Sequence, residues 1–286
     1  MGMVMLRTIR AQQACSERWR RRGLRLGFVP TMGALHAGHL SLVAAARRNV
    51  DRLVVSVFVN PIQFGPREDF HRYPRTLARD RALLSRAGVD VLFSPAPAAM
   101  YPPGFATRVT VEGPLVAGLC APWRPGHFAG VTTVVARFFQ VVRPHAAWFG
   151  QKDAQQVAII RRMTQDLGTG VRILVGPIVR ESDGLALSSR NRFLDRAGRM
   201  AAPALWRGLQ AGRAAIRRGE RSPAGVRAAM RRVLAPVSPV RVQYLDIVDA
   251  ETLQPLSRLR GRVLLAIAAF VGRTRLIDNL PVRVPR

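Results

Sequence analysis

Between Leu24 and Ile178 the chain alternates short runs in which nearly every residue is apolar with longer stretches in which apolar residues recur every three or four positions. LRLGFV (24–29), LVVSVFV (53–59), VDVLFS (89–94), AAWFG (146–150) and VRILVG (171–176) are runs of the first kind. They are too short for helices and rich in Val, Leu and Phe, so they predict strands. The stretches His39–Asn49, Thr76–Ala87 and Ala154–Leu167 have helical spacing. A strand that is apolar on both sides must be covered on both faces, and helices alternating with such strands do this. The pattern therefore predicts an α/β fold, a Rossmann-like doubly wound parallel sheet. Ligands of such sheets sit beyond the carboxyl ends of the strands, here after Val29, Val59 and Phe149.

From Val179 the texture changes. Arg/Ala-rich helical patterns (Ala201–Arg218 and Ser222–Leu234) lead to VQYLDIVD (242–249) and VLLAIAAFVG (263–272). This predicts a second, smaller α+β C-terminal domain over 179–286, following a ligand-binding domain over 1–178. SPAPAAMYPPG (94–104) is rich in proline and reads as a loop with rigid turns.

Composition adds limits. At 286 residues and 48% hydrophobic, the chain can bury a sizeable core. MGMVMLRTIR has no apolar core of the signal-peptide kind, and no apolar run reaches the ~18 residues of a membrane span. A cytoplasmic protein with no membrane partner is expected. Cys15 and Cys120 lack C-x-x-C spacing and read as reduced thiols. Lys+Arg outnumber Asp+Glu by 45 to 17, a net charge of +28 that raises the question of nucleic acid. The charge is dispersed, however, and only 7% of residues are aromatic. The tightest cluster, Arg18 to Arg22 around Trp19, reads as the end of a solvated helix, so no nucleic-acid partner is expected.

One basic residue stands out. Of the 45, only Lys152 is lysine and the other 44 are arginine. A guanidinium is a planar fork, whereas an ammonium is a compact point charge that fits between phosphate oxygens.

The chemistry-bearing segments lie at the predicted strand ends. PTMGALHAGHL (30–40) follows a strand and opens a helix, whose free N–H groups favour an anion. Gly33 permits a tight turn and Gly38 a close approach. His36 and His39, three apart, share a helix face and can donate to a phosphate that gains charge; two ordinary surface histidines are the alternative. FVNPIQF (58–64) supplies the amides of Asn60 and Gln63, suited to a hydroxy acid. FGQKDAQQ (149–156) offers Gly150 for close backbone approach, Lys152 for charge, Asp153 as a helix cap or ligand contact, and Gln156 one turn later. DGLALSSRNR (183–192) places Ser188 and Ser189 before Arg190, an arrangement that can grip phosphate oxygens. RPGHFAGV (124–131) reads as a Gly/Pro-bounded loop carrying Arg124 and His127 over a site.

P-T-M-G-x-L-H-x-G-H, F-V-N-P-x-Q-F, Y-P-R-T-L, R-P-G-H-F-x-G-V, F-G-x-K-D-x-Q-Q and D-G-L-A-x-S-S-R-N occur in the order typical of pantothenate synthetases, and the chain resembles that family from about Leu24 to Leu280. Its first domain is similar to the H-I-G-H nucleotidyltransferases through His36-Ala37-Gly38-His39. The resemblance implies an ATP- and Mg²⁺-dependent ligase that joins pantoate to β-alanine through pantoyl adenylate, releasing pyrophosphate and AMP, and works as a homodimer. It implies that Met32, Gly33, Ala34, Leu35, His36, Ala37, Gly38 and His39 line the nucleotide, with His39 the acid or transition-state donor and His36 its partner. Gly150, Gln151, Lys152, Asp153, Val179, Leu187, Ser188, Ser189 and Arg190 complete that site, with Lys152 catalytic. Gln63 and Gln156 would hold pantoate and Gln63 would also meet β-alanine; metal ligands are not indicated. Gln151 and Ala37 stand where acidic residues are frequent in the family, and Ala121 where glycine is.

Overall fold

The computed structural model describes residues 2–66 and 68–285. Six strands, β1 (Val4–Leu6), β2 (Leu26–Thr31), β3 (Arg52–Val57), β4 (Val91–Phe93), β5 (Ala146–Gly150) and β6 (Arg172–Gly176), pair in the order β1-β4-β3-β2-β5-β6. Every pairing is parallel. The helices of this part are α1 (Ile9–Arg21), α2 (Ala37–Arg47), α3 (Leu77–Arg86), the short α4 (Pro97–Met100), α5 (His127–Val142) and α6 (Ala154–Asp166). Successive side chains of the strands serve opposite faces. Val29, Leu53, Val55, Leu92 and Trp148 pack with Leu42, Val43, Ala46 of α2 and Leu84 of α3. On the other face Phe28, Phe58 and Phe93 meet Phe138 of α5 edge-on. This two-sided burial is why the strands read as unbroken apolar runs.

The strand order reverses between β2 and β5, which makes their junction the switch point of the sheet. Phe28 pairs with Ala147 there. Both strands run on in parallel, and beyond their carboxyl ends the chain enters the histidine-bearing turn and Gln151-Lys152 respectively.

The C-terminal part carries α7 (Arg196–Ala201), α8 (Ala204–Arg217) and α9 (Pro223–Leu234), then the antiparallel sheet β7-β8-β9 (Val240–Asp249, Arg262–Val271, Thr274–Arg283). The central strand β8 is covered on both faces. Leu265, Ile267, Ala269 and Val271 pack with residues of α8 and α9. Leu264 and Ala266 pack with Leu119, Leu115, Ala154 and Ala158. The chain accordingly divides into two compact units: Met1–Val111, Arg124–Gly150 and Ile159–Pro177 form one, and Glu112–Trp123, Gln151–Ala158 and Ile178–Arg286 the other.

Three sequence expectations change. RPGHFAGV is a loop only through Gly126; His127 opens α5, whose residues are mostly buried. The apolar pattern of α5 serves packing, and its single glycine, Gly130, is needed because a Cβ there would stand 2.3 Å from the Ile62 carbonyl oxygen. The helix expected over Ala201–Arg218 is α8, which begins only at Ala204: Ala201 ends the preceding short helix α7, and Pro203, which lacks the N–H of a helix interior, separates the two. The Pro-rich stretch 94–104 contains the helical turn α4, with Met100 buried. Arg21 and Arg22 are exposed at the end of α1, as expected of a solvated helix terminus.

Candidate active site

The histidine-bearing turn is held by more than its own residues. Gly33 and Ala34 both lie in the left-handed region, at φ +82° and +50°. For alanine this costs about 1–2 kcal/mol. The turn is secured by Asp80, fully buried in the first turn of α3. One carboxylate oxygen accepts from Ala34 N (3.0 Å) and the Thr76 hydroxyl (3.1 Å), the other from Leu35 N (2.9 Å). Two backbone N–H groups that the sharp turn would leave unpaired thus meet an anion. We expect Asp80→Asn to destabilise the protein by about 2–3 kcal/mol, because an amide N–H₂ would face a backbone donor. Thermal unfolding measures this, and an unchanged midpoint would contradict the clamp.

His36 is the N-cap of α2. Its Nδ1 accepts from Gly38 N (3.2 Å), and His39 Nδ1 accepts from His36 N at 3.4 Å. In both rings Nδ1 is the acceptor, so the proton of the neutral imidazole is on Nε2. The rings lie 4.0 Å apart between centroids. Two N–H donors are therefore presented together at the positive end of α2.

The amides sit in a second network of the same unit. Asn60 Nδ2 donates to Gln63 Oε1 (3.0 Å) and to Gly130 O (3.1 Å), and Gln63 Nε2 donates to Met32 Sδ (3.1 Å). Tyr101 donates to Asn60 Oδ1 at 2.7 Å. Burial pushes the Tyr101 phenol well above its usual range, against Arg108 and Arg137, so it remains a donor. The Gln63 backbone is fixed by His127, whose Nδ1–H donates to Gln63 O (2.8 Å) while Nε2 accepts from Arg124 Nη1 (2.8 Å). Arg124 is gripped by both Glu68 oxygens at 2.6 Å.

Burial raises the Glu68 carboxyl, but the bonds and charge of Arg124 outweigh it and leave its pKa below the ordinary value. A lowered folded-state pKa contributes stability above the ordinary glutamate range that is lost as pH falls through the folded value. Glu68→Gln should cost about 1.5–3 kcal/mol at neutral pH, the size of a hydrogen bond to a charged group. Unfolding curves at pH 7 and near pH 3 check this: the gap to the parent should close in acid.

Gln151–Asp153, Gln156, Val179 and the segment Leu187-Ser188-Ser189-Arg190 belong to the C-terminal unit, whereas Gly150 and Ala37 belong to the first. Gln151–Asp153 form a 3₁₀ turn, and Lys152 Nζ lies 3.8 Å from Asp153 Oδ1. Leu187 N donates to Val179 O (2.9 Å), and Arg180 bridges Ala186, so Val179 and the segment leading to Leu187-Ser188-Ser189-Arg190 form one small hairpin. Ser188 caps the 3₁₀ turn Ser189–Phe193 by accepting from Arg190 N. Lys152, Ser188 and Asp278 line one recess. A Cβ on Gly150 would meet nothing within 4 Å, so space remains beside the backbone there. Ala37 is exposed and Gln151 half-buried. Gln155, beside the half-buried Gln156, is structural: it bonds Cys120 N and the carbonyls of Leu115 and Gly118. Cys15 and Cys120 are both free thiols.

Sequence reasoning did not find Asp80, Glu68 or Asn279. For the two carboxylates the only signal is scarcity, as 17 acidic residues face 45 basic ones.

A doubly wound parallel sheet with a helix N-terminus and paired imidazoles after a switch-point strand defines the class, an α/β enzyme of the nucleotide-binding kind. The family model described as Pantoate-beta-alanine ligase matches residues 4–281. The pantothenate synthetase of Moorella thermoacetica is 53% identical over 282 residues, covering 99% of each chain. Two crystal structures agree. The pantothenate synthetase of Thermus thermophilus has a TM-score of 0.92 at 51% identity, covering 97% of this chain and 99% of that one. The pantoate-beta-alanine ligase of Francisella tularensis, complexed with beta-gamma ATP and beta-alanine, has a TM-score of 0.79 at 32% identity, covering 97% of both. The chain belongs to the pantoate–β-alanine ligase family.

Proposed function

We infer that this chain condenses pantoate with β-alanine at the expense of ATP. A pantoate carboxylate oxygen attacks the α-phosphorus of ATP, the bond to the bridging oxygen breaks, and pyrophosphate leaves with the electron pair. The amine of β-alanine then attacks the acyl carbonyl, a C–N bond forms, the amine loses a proton, and AMP leaves. Neither step requires a covalent bond to the protein, only positioning and charge stabilisation.

The observation that carries this reading is the pair of imidazoles at the start of α2, both with Nε2 as the proton-bearing nitrogen, in a chain that matches the family over residues 4–281. We assign His39 as the donor to the charge that grows on the phosphates and His36 as its partner. Met32 to His39, Gly150 to Asp153, Val179 and Leu187 to Arg190 take the nucleotide, with Lys152 and Arg190 offsetting phosphate charge. Gln63 and Gln156 take pantoate, and Gln63 meets β-alanine. The bonds from Asn60 and His127 that fix Gln63 support its part.

Among the described residues no group of three or more His, Cys, Asp or Glu could hold a metal. Mg²⁺ suits such a site when it enters on the ATP phosphates and keeps water ligands, supplying charge neutralisation there. A homodimer in the cytoplasm completes the reading; no described helix is long and apolar enough to cross a membrane.

Release of pyrophosphate from ATP, measured against a panel of acceptors, tests it. Dependence on pantoate, with AMP formed only when β-alanine is added, is expected. Release driven instead by a phosphorylated or nucleotide acceptor would overturn it.

A further inference from the structure

We propose that Asn279 is the positioning residue for Lys152, so that the ammonium is fixed to the C-terminal unit and held as one group with Ser188. The proposal rests on the reading of Lys152 as a phosphate-binding group. Asn279 lies on β9 opposite Ala266 and is only 4% exposed. Its Nδ2 donates to two successive carbonyls, Gln151 O at 3.0 Å and Lys152 O at 2.9 Å. Its Oδ1 accepts from Gln151 Nε2 at 3.1 Å. The whole amide is spent on this one turn.

Two bonds to adjacent carbonyls fix both peptide planes around the Lys152 Cα, and with them the direction in which its side chain leaves. A lysine stem is flexible, so the direction of its root decides where the charge can be held. No other lysine in the chain can take its place.

Asn279 is itself anchored. Its backbone N–H donates to Asp278 Oδ1 at 2.7 Å. Asp278 is gripped by Arg180 at 2.6 and 2.9 Å, and Arg180 lies 3.7 Å over the Trp206 ring. Arg180 Nη1 also donates to Gly184 O at 3.0 Å, at the tip of the hairpin that leads to Ser188. One chain of bonds, from Trp206 through Arg180, Asp278 and Asn279, therefore orients both the lysine turn and the serine hairpin. The common recess lined by Lys152, Ser188 and Asp278 agrees with this arrangement. The ion pair alone would give a stable core; the amide spent on the lysine turn is what gives it a bearing on chemistry.

The test separates the two half-reactions in the full chain. Adenylate formation is read as single-turnover pyrophosphate release, and aminolysis as pantothenate formed from supplied pantoyl adenylate and β-alanine. Asn279→Ala should slow adenylate formation by roughly 10- to 100-fold, the scale of a misplaced catalytic group, and leave aminolysis within about twofold. In a Lys152→Ala background the same change should cause no further loss, as expected of residues acting as one unit. Equal losses in both half-reactions, a parent-like rate of adenylate formation, or the full loss persisting without Lys152 would each overturn the proposal. Should Asn279→Ala not fold, Asn279→Ser, which keeps one donor, is judged by the same ratio. A parent enzyme that releases no pyrophosphate with pantoate would instead defeat the reading of the site.

Discussion

Lys152→Ala is expected to slow adenylate formation by ~10²-fold or more, the loss seen when a transition-state charge donor is removed. The lysine side chain is 21% exposed, so its charge acts in a partly water-excluded place, where an electrostatic contact is worth more than in bulk water. Asp153, 3.8 Å away, is too distant and too exposed to neutralise it. Lys152→Arg is the sharper comparison. It keeps the charge but replaces a small ammonium by a wide planar fork, and should recover only part of the rate. Single-turnover pyrophosphate release measures both variants, and a Lys152→Ala rate near the parent's would remove the lysine from the chemistry.

The second large effect concerns His39. His39→Ala should lower the rate of adenylate formation by ~10²–10³-fold while costing no more than about 1 kcal/mol of stability. The contrast follows from the geometry. The bond from His36 N to His39 Nδ1 is long, at 3.4 Å, and contributes little to holding the helix start. The Nε2 proton that this bond places on the far side of the ring is the group the reaction needs. Rate and thermal midpoint measured on the same preparation decide the point. A large stability loss with a modest rate loss would make His39 a cap rather than a donor.

Much of this protein was legible before any coordinates. The five runs read as strands between Leu24 and Gly176 are β2 to β6, each within a few residues of its expected bounds. β2 to β5 are largely buried on both faces and such strands cannot hide their composition, while the half-buried edge strand β6 carries a similar apolar run. The histidine turn announced itself in the same way. Glycine, two imidazoles and a helix start can occur together in sequence because the chemistry of a helix N-terminus is local. α5 is hidden in the sequence because the Gly and Pro residues before it read as a loop, and burial of most of its circumference leaves only Arg137 and Gln140 as polar marks of a helix face.

The sequence by itself determined the parallel sheet, the family, and the residue types offered at the strand ends. All of these depend on neighbours within a few positions or on a periodicity along one element. The tertiary structure alone decided which distant groups hold those residues in place. Asp80 reaches Ala34 and Leu35 from α3, Glu68 orders Gln63 through Arg124 and His127, and Asn279 grips the lysine turn from β9. It also decided that Glu112–Trp123 and Gln151–Ala158 group with the C-terminal sheet, where they cover the second face of β8. The physical reason is common to all of them. A buried polar group must find a partner wherever the fold brings one, and that partner's place in the chain obeys no local rule.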